Sequence, residues 1–173
     1  RHAETEKGTQ KKYFIGQTDV DLSPSGVKQA EELAEKFKNI HLDYIYCSNL
    51  QRTIKTAQLI GNHHFIEPIR IEAIAEINMG EWDALSFEEI KSRYPLEYKR
   101  RGQDIINYCV PGGESFFEFS KRVVKGFYQI LQKSSGNIAI VAHAGVNRVI
   151  LCNILETPLQ NLFKISQDYC GIN

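Results

Sequence analysis

Two histidines, two arginines and one glutamate are the side chains whose type and setting could do chemistry. His143 closes the run Ile138-Ala139-Ile140-Val141-Ala142, five apolar residues without alternation. Such a run reads as a strand covered on both faces, as in a parallel sheet flanked by helices. Ligands of open α/β sheets bind in the crevice beyond the carboxyl ends of the strands. An imidazole leaving a strand there is either hydrogen-bonded or functional, because burying it unpaired costs free energy. Arg1-His2, followed by the polar Glu4-Thr5-Glu6, supplies a matching imidazole at the same sheet edge if a strand leads into it.

Arg52 falls in the first turn of an expected helix, next to the end of the strand before it. Arginine suits bidentate binding of phosphate or carboxylate, although a lone helical arginine ordinarily caps or solvates. Glu76 sits in Ala73-Ile74-Ala75-Glu76-Ile77-Asn78-Met79-Gly80, a fairly apolar setting. Burial raises a carboxyl pKa because the ionised form loses hydration, and a carboxyl so raised serves as a general acid. Each residue alone has an ordinary structural explanation. Arg1, Arg52 and Arg148 gain meaning only if they share a pocket with two histidines. Arg148, a turn beyond His143, is expected on the helix surface, and His41, His63 and His64 are expected at the surface too.

The elements that must bring these residues together are legible in outline. Ser23 reads as an N-cap with Pro24 at the first helical position, and Val27, Ala30, Leu33, Ala34 and Phe37 follow at helical spacing. Residues 43–47 read as a strand, 50–60 as a helix with Gly61 as its C-cap, and 66–71 as a weaker strand carrying Pro68. Residues 73–83 read as a loop. Ser86-Phe87-Glu88-Glu89 and Ser115-Phe116-Phe117-Glu118 are capping boxes. The first opens a short helix that Pro95 interrupts. The second opens a helix to about residue 132, with Phe119, Val123, Phe127, Ile130 and Leu131 toward the core. Residues 94–110 read as irregular or helical, 145–155 as a helix, and Thr157-Pro158 as the start of another. Strand and helix alternate, so the expected fold is one α/β domain over residues 1–173: a three-layer sandwich, its mostly parallel sheet between two layers of helices. An apolar strand is expected before Arg1, and residues 168–173 are expected to begin a last one.

Composition narrows the function. With 173 residues the chain suits one domain, and folding buries roughly 70% of the unfolded chain's surface. The 21 basic and 21 acidic residues balance, which argues against a nucleic-acid partner. Cys47, Cys109, Cys152 and Cys170 show no zinc or disulfide spacing, and no apolar run is long enough to span a bilayer. The expectation is a cytoplasmic protein with reduced thiols and no membrane partner, with a homodimer left open.

Six segments occur in order along the chain: Arg1-His2-Ala3-Glu4-Thr5, Gly16-Gln17-Thr18-Asp19-Val20-Asp21-Leu22-Ser23, Ser48-Asn49-Leu50-Gln51-Arg52-Thr53, Glu76 with Gly80-Glu81-Trp82, Pro111-Gly112-Gly113-Glu114-Ser115, and Ala142-His143-Ala144-Gly145-Val146. Together they resemble the histidine phosphatase superfamily, also called phosphoglycerate-mutase-like, over nearly the whole chain. The second and fifth segments look most like its α-ribazole phosphatase branch, of cobalamin synthesis. The resemblance implies a small phosphorylated substrate, with α-ribazole 5′-phosphate first, and neither cofactor nor metal. It implies that His2 attacks phosphorus to form a phosphohistidine, with Arg1, Arg52 and His143 around the equatorial oxygens. Glu76 then protonates the departing alkoxide and activates water, and Gly16, Gln17 and Thr18 contact phosphate or substrate. Ala3 and Gly8 depart from the glycine and asparagine common in the family. The rival readings are a phosphoserine or broad-specificity sugar phosphatase, a cofactor-dependent phosphoglycerate mutase, and a silent phosphate-binding regulatory module.

Overall fold

In the computed structural model, residues 1–7 and 12–173 are described; Gly8 lies outside them. The Ser23 side chain accepts from the Gly26 amide at 2.9 Å and opens α1, Pro24–Phe37, with proline in the first turn. β1 is Tyr44–Cys47, α2 Gln51–Asn62 and β2 Ile69–Arg70. Both capping boxes form, at α3, Phe87–Arg93, and at α5, Phe116–Lys133. Between them, α4 covers Pro95–Gln103. β3, Ile138–Val141, leads directly into α6, Ala144–Ile154. Short 3-10 turns cover Glu72–Ile74, Gly80–Trp82 and Leu159–Lys164.

The sheet is parallel, in the order β2-β1-β3. Side chains alternate across it. Ile45, Cys47, Ala139 and Val141 pack against Leu33 and Ala34 of α1 and Ile54, Ala57 and Ile60 of α2. Tyr44, Tyr46, Ile138 and Ile140 meet the other core, where Phe119, Val123 and Ile130 of α5 join Val146 and Val149 of α6. This is the expected α/β sandwich, with helices on both faces. The register sets up the site. Cys47 stands opposite Val141, so β1 and β3 end side by side, and α2 and α6 start from the same sheet edge.

Some local expectations fail for identifiable reasons. α2 runs through Gly61, because its C-cap, His63, has φ −70° and needs no left-handed residue. β2 is short where Pro68, which lacks an N–H, precedes it. Val27 and Leu131, assigned to core faces, are exposed. Residues 168–173 form no strand: Gly171 N–H turns back to the Asp168 carbonyl, and bonds from Cys170 N–H to the His2 carbonyl and from the Arg1 amino group to the Gly171 carbonyl tie the stretch to residues 1 and 2. No helix is long and apolar enough to cross a membrane among the described residues.

Ile45, fully buried in the central strand, anchors one core. Ile45→Ala should lower unfolding free energy by about 2–5 kcal/mol through lost transfer energy and a residual cavity, measured by urea denaturation.

Candidate active site

His2, Arg52, Glu76 and His143 are all buried, although each carries polar atoms. Their hydrogen bonds show how the fold tolerates this. Nδ1 of His2 lies 2.7 Å from the Ala3 carbonyl. A carbonyl only accepts, so Nδ1 carries the proton. Burial pushes the imidazole pKa well below its ordinary 6.5, and the neighbouring Arg52 charge adds to the shift against a smaller opposing effect of the Ala3 bond. The ring is therefore neutral, and Nε2 keeps a free lone pair. Ala3 keeps its methyl group away from the site, packed with Leu22 and Ala30.

His143 has the opposite tautomer. Arg52 Nε–H donates to its Nδ1 at 3.3 Å, which leaves the proton on Nε2, 2.7 Å from Ser48 Oγ. Ser48 Oγ lies 2.7 Å from Thr53 Oγ1, and Thr53 donates to the Leu50 carbonyl, so the chain ends on the backbone at the start of α2. Burial, then the Arg52 charge, lowers the His143 pKa as well. The two rings meet edge to face, with centroids 5.2 Å apart.

Arg52 also donates through Nη1 to the Thr18 carbonyl at 2.9 Å and through Nη2 to the Gly16 carbonyl at 2.7 Å. Among the described residues, three of its five N–H groups are thus engaged, and each Nη keeps one. The amides of Gly16, Gln17 and Thr18 all donate to the Asp83 carboxylate, at 2.8, 2.9 and 2.8 Å. Arg1 is held differently. Its Nη1 donates to the Gln167 carbonyl, its guanidinium carbon lies 3.9 Å from the Tyr169 ring centre, and its buried Nε has no hydrogen-bond partner among the described residues.

The two Glu76 carboxylate oxygens accept from the Ile77 and Gly145 amides, at 2.9 and 3.0 Å. Burial raises the Glu76 pKa, opposed by those bonds and by Arg52 and Arg1. The contact with α6 requires glycine: a Cβ at position 145 would stand 2.3 Å from Glu76 Oε1.

A cavity of about 470 Å³ takes in Arg1, His2, Arg52, Glu76, Ala144 and Tyr169, with Lys7, Lys12, Tyr13 and Arg148 also along its wall. It gathers a neutral imidazole with a free nitrogen, two guanidinium groups and a carboxyl biased toward its protonated form. That set is suited to nucleophilic displacement at a dianionic centre with proton delivery to a leaving group. Among the described residues, no group of three or more His, Cys, Asp or Glu side chains is placed to hold a metal ion.

The sequence model of the histidine phosphatase superfamily (branch 1) matches residues 1–173. The chain belongs to the histidine phosphatase superfamily. Its enzyme class is accordingly that of a phosphoric monoester hydrolase of the histidine phosphatase type. It is 35% identical over 170 residues to "Phosphoserine phosphatase 1" of Hydrogenobacter thermophilus, covering 97% of this chain and 80% of that one. It is 30% identical over 164 residues to "6-phosphofructo-2-kinase/fructose-2,6-bisphosphatase 4" of Homo sapiens, covering 94% of this chain but 33% of that longer protein. A solved "Alpha-ribazole Phosphatase from Shigella flexneri" has the same fold at a TM-score of 0.91 and 23% identity, covering 98% of this chain and 84% of that one.

Within this superfamily fold, the remaining candidates surround that cavity. His143 is buried behind His2, its ring edge to face with that imidazole, and its two nitrogens meet Arg52 and Ser48. For Gly16, Gln17 and Thr18, Asp83 accepts from their amides, Arg52 donates to two of their carbonyls, and Gln17 Nε2 donates to the Glu76 carbonyl at 3.2 Å. They frame the site. Arg148 does line the cavity, its Nε–H donating to the Ile165 carbonyl at 2.9 Å. Sequence reasoning missed Asp83, Tyr169 and Ser48. Only Ser48 carried a local signal, as the polar residue between a strand and the helix bearing Arg52.

Gly145→Ala should displace the Glu76 carboxyl and lower kcat by about 100-fold, the scale of a misplacement near 1 Å, with the α6 fold retained. Steady-state kinetics beside a thermal melt would check it.

Proposed function

We propose that the protein is a metal-independent phosphomonoesterase that works through a phosphohistidine at His2. The observation that carries this reading is the His2 tautomer: Nδ1–H is committed to the Ala3 carbonyl, so Nε2 is the nitrogen left to attack. An unprotonated imidazole is what covalent catalysis on phosphorus needs. Arg1 and Arg52 supply two fixed positive charges against a phosphoryl dianion, the electrostatic contribution that dominates phosphoryl transfer. The N–H groups of Arg1 Nη1 and Nη2 not given to Gln167 and the spare N–H groups of Arg52 are the donors for equatorial oxygens. His143 acts through Arg52, fixing the plane of its guanidinium. Glu76, protonated, gives its proton to the departing oxygen. As a carboxylate it then takes a proton from the water that hydrolyses phosphohistidine, which returns both groups to their starting states.

For the substrate, two readings have support. The sequence relative at 35% identity is named for phosphoserine. Lys7, Lys12 and Arg148 add positive charge to the cavity wall beyond the pair that would face the phosphate, which favours a monoester with a second anionic group, such as the phosphoserine carboxylate. α-Ribazole 5′-phosphate, the first expectation from the sequence motifs, stands second: it has no other anion, and its supporting likeness at 23% identity speaks to fold.

Phosphate release from phosphoserine, α-ribazole 5′-phosphate and 3-phosphoglycerate, in the presence of EDTA and beside His2→Ala, tests the proposal. Turnover of at least one monoester that disappears in the variant is expected, with phosphoserine fastest. Preference for α-ribazole 5′-phosphate would overturn the substrate reading alone, and full turnover by His2→Ala would overturn the mechanism.

The pH dependence follows from the two shifts. His2 must be unprotonated, so activity falls as pH drops through a value below the ordinary imidazole 6.5. Glu76 must be protonated, so activity falls as pH rises through a value above the ordinary carboxyl 4.5. A bell-shaped kcat/KM profile with those limbs is expected, and its apparent values belong to the pair.

A further inference from the structure

We propose that Arg122 is the positioning residue for Glu76, a brace that sets the proton donor against the leaving group without touching substrate. The proposal rests on the reading of Glu76 as general acid. Glu76 lies outside helix and strand, between the 3-10 turns Glu72–Ile74 and Gly80–Trp82. The carbonyls of such a segment must find donors elsewhere, and one side chain serves three of them. Arg122 Nη1 donates to the carbonyls of Ala73 at 3.0 Å and Ala75 at 3.1 Å, and Nη2 to that of Glu76 at 3.4 Å. Its remaining N–H groups, on Nη2 and Nε, meet the two carboxylate oxygens of Glu114. All five guanidinium donors are used. Glu114 Oε1 also accepts from the Asn78 amide at 2.9 Å, so the ion pair clamps the backbone on both sides of Glu76.

The α5 helix is built for this reach. Gly126, one turn beyond Arg122, brings α5 so close that a Cβ there would stand 2.6 Å from the Ala73 Cβ. Arg122 faces away from the site: it borders a separate pocket with Gln17 and Glu72, and does not line the cavity that holds His2. Its effect on the reaction must pass through the segment it holds. Lysine cannot substitute, because an ammonium lacks the rigid planar fork that meets three carbonyls and a carboxylate at once.

Leaving-group dependence separates this role from general support of the fold. Proton donation matters for an alkyl monoester and little for p-nitrophenyl phosphate, whose phenolate departs unaided. Arg122→Lys should lower kcat on phosphoserine, or on whichever alkyl monoester proves preferred, by about 10–100-fold, the scale of a small misplacement. KM should hardly change, and phosphorylation of the enzyme by p-nitrophenyl phosphate, read as the rapid-mixing burst of nitrophenol that precedes the hydrolysis step in which Glu76 serves as base, should stay within a few-fold; the two substrates are compared throughout on this phosphorylation step. Glu76→Gln, assayed in parallel, should show the same selectivity more strongly, by about 10²–10⁴-fold. Glu114→Gln, which keeps the arginine but weakens its anchor, should show it more mildly and serves if Arg122→Lys does not fold. Equal loss on both substrates in the Arg122 and Glu114 variants, with Glu76→Gln still selective, would overturn the brace. A Glu76→Gln variant without selectivity would overturn the general-acid reading and the brace with it.

Discussion

A guanidinium buried to 1% exposure on the floor of the sheet edge, that of Arg52, is the constraint around which the site is built. Taking such an ion out of water costs several kcal/mol unless its donors are met. The usual remedy, a carboxylate partner, would cancel its charge. Here the acceptors are the Gly16 and Thr18 carbonyls and the neutral His143 ring. These satisfy geometry while leaving the positive charge uncancelled by direct contact, so under the proposed function an arriving dianion completes an arrangement already organised for it. Electrostatic preorganisation of this kind spares the reorganisation that solvent would need during reaction.

The same requirement reaches outward. Carbonyls aimed inward at Arg52 need their own peptide units fixed, and Asp83 does this by accepting three successive amides. The Arg52 bond to His143 sets that ring's tautomer and so commits Ser48 and Thr53. The Arg52 charge also reinforces the burial that keeps His2 neutral. Glu76 belongs to a parallel arrangement, held by the first turn of α6 through Gly145 and from behind by α5. Two backbone frames, one per side of the cavity, thus meet at β1 and β3, whose matched ends define where both begin.

The sequence made some of this visible. An unbroken apolar run ending in histidine, an arginine one turn into a helix after a strand, and a carboxyl in an apolar loop each point to the sheet edge, and the six ordered motifs carry the family. The two serine capping boxes and the Ser23-Pro24 start were legible because capping is a local, spaced interaction. What stayed hidden depends on contacts between distant irregular segments. Asp83 meets residues 16–18 across more than sixty positions, and Arg122 meets the Glu76 segment across more than forty. No periodicity encodes such pairs. The hydrogen bonds of His143 to Arg52 and Ser48 were equally hidden, because a residue type at a strand end does not reveal which neighbours will meet its nitrogens.

The central claim is covalent: phosphorus becomes bonded to Nε2 of His2. Rapid quench of the enzyme with ³²P-labelled substrate into alkali, followed by peptide mapping and ³¹P NMR of the trapped species, tests it most directly. The account predicts transient label on His2, stable to base and labile to acid, with the Nε2 isomer formed. Burst-free turnover with no labelled histidine, or label at another residue or at Nδ1 of His2, would contradict it.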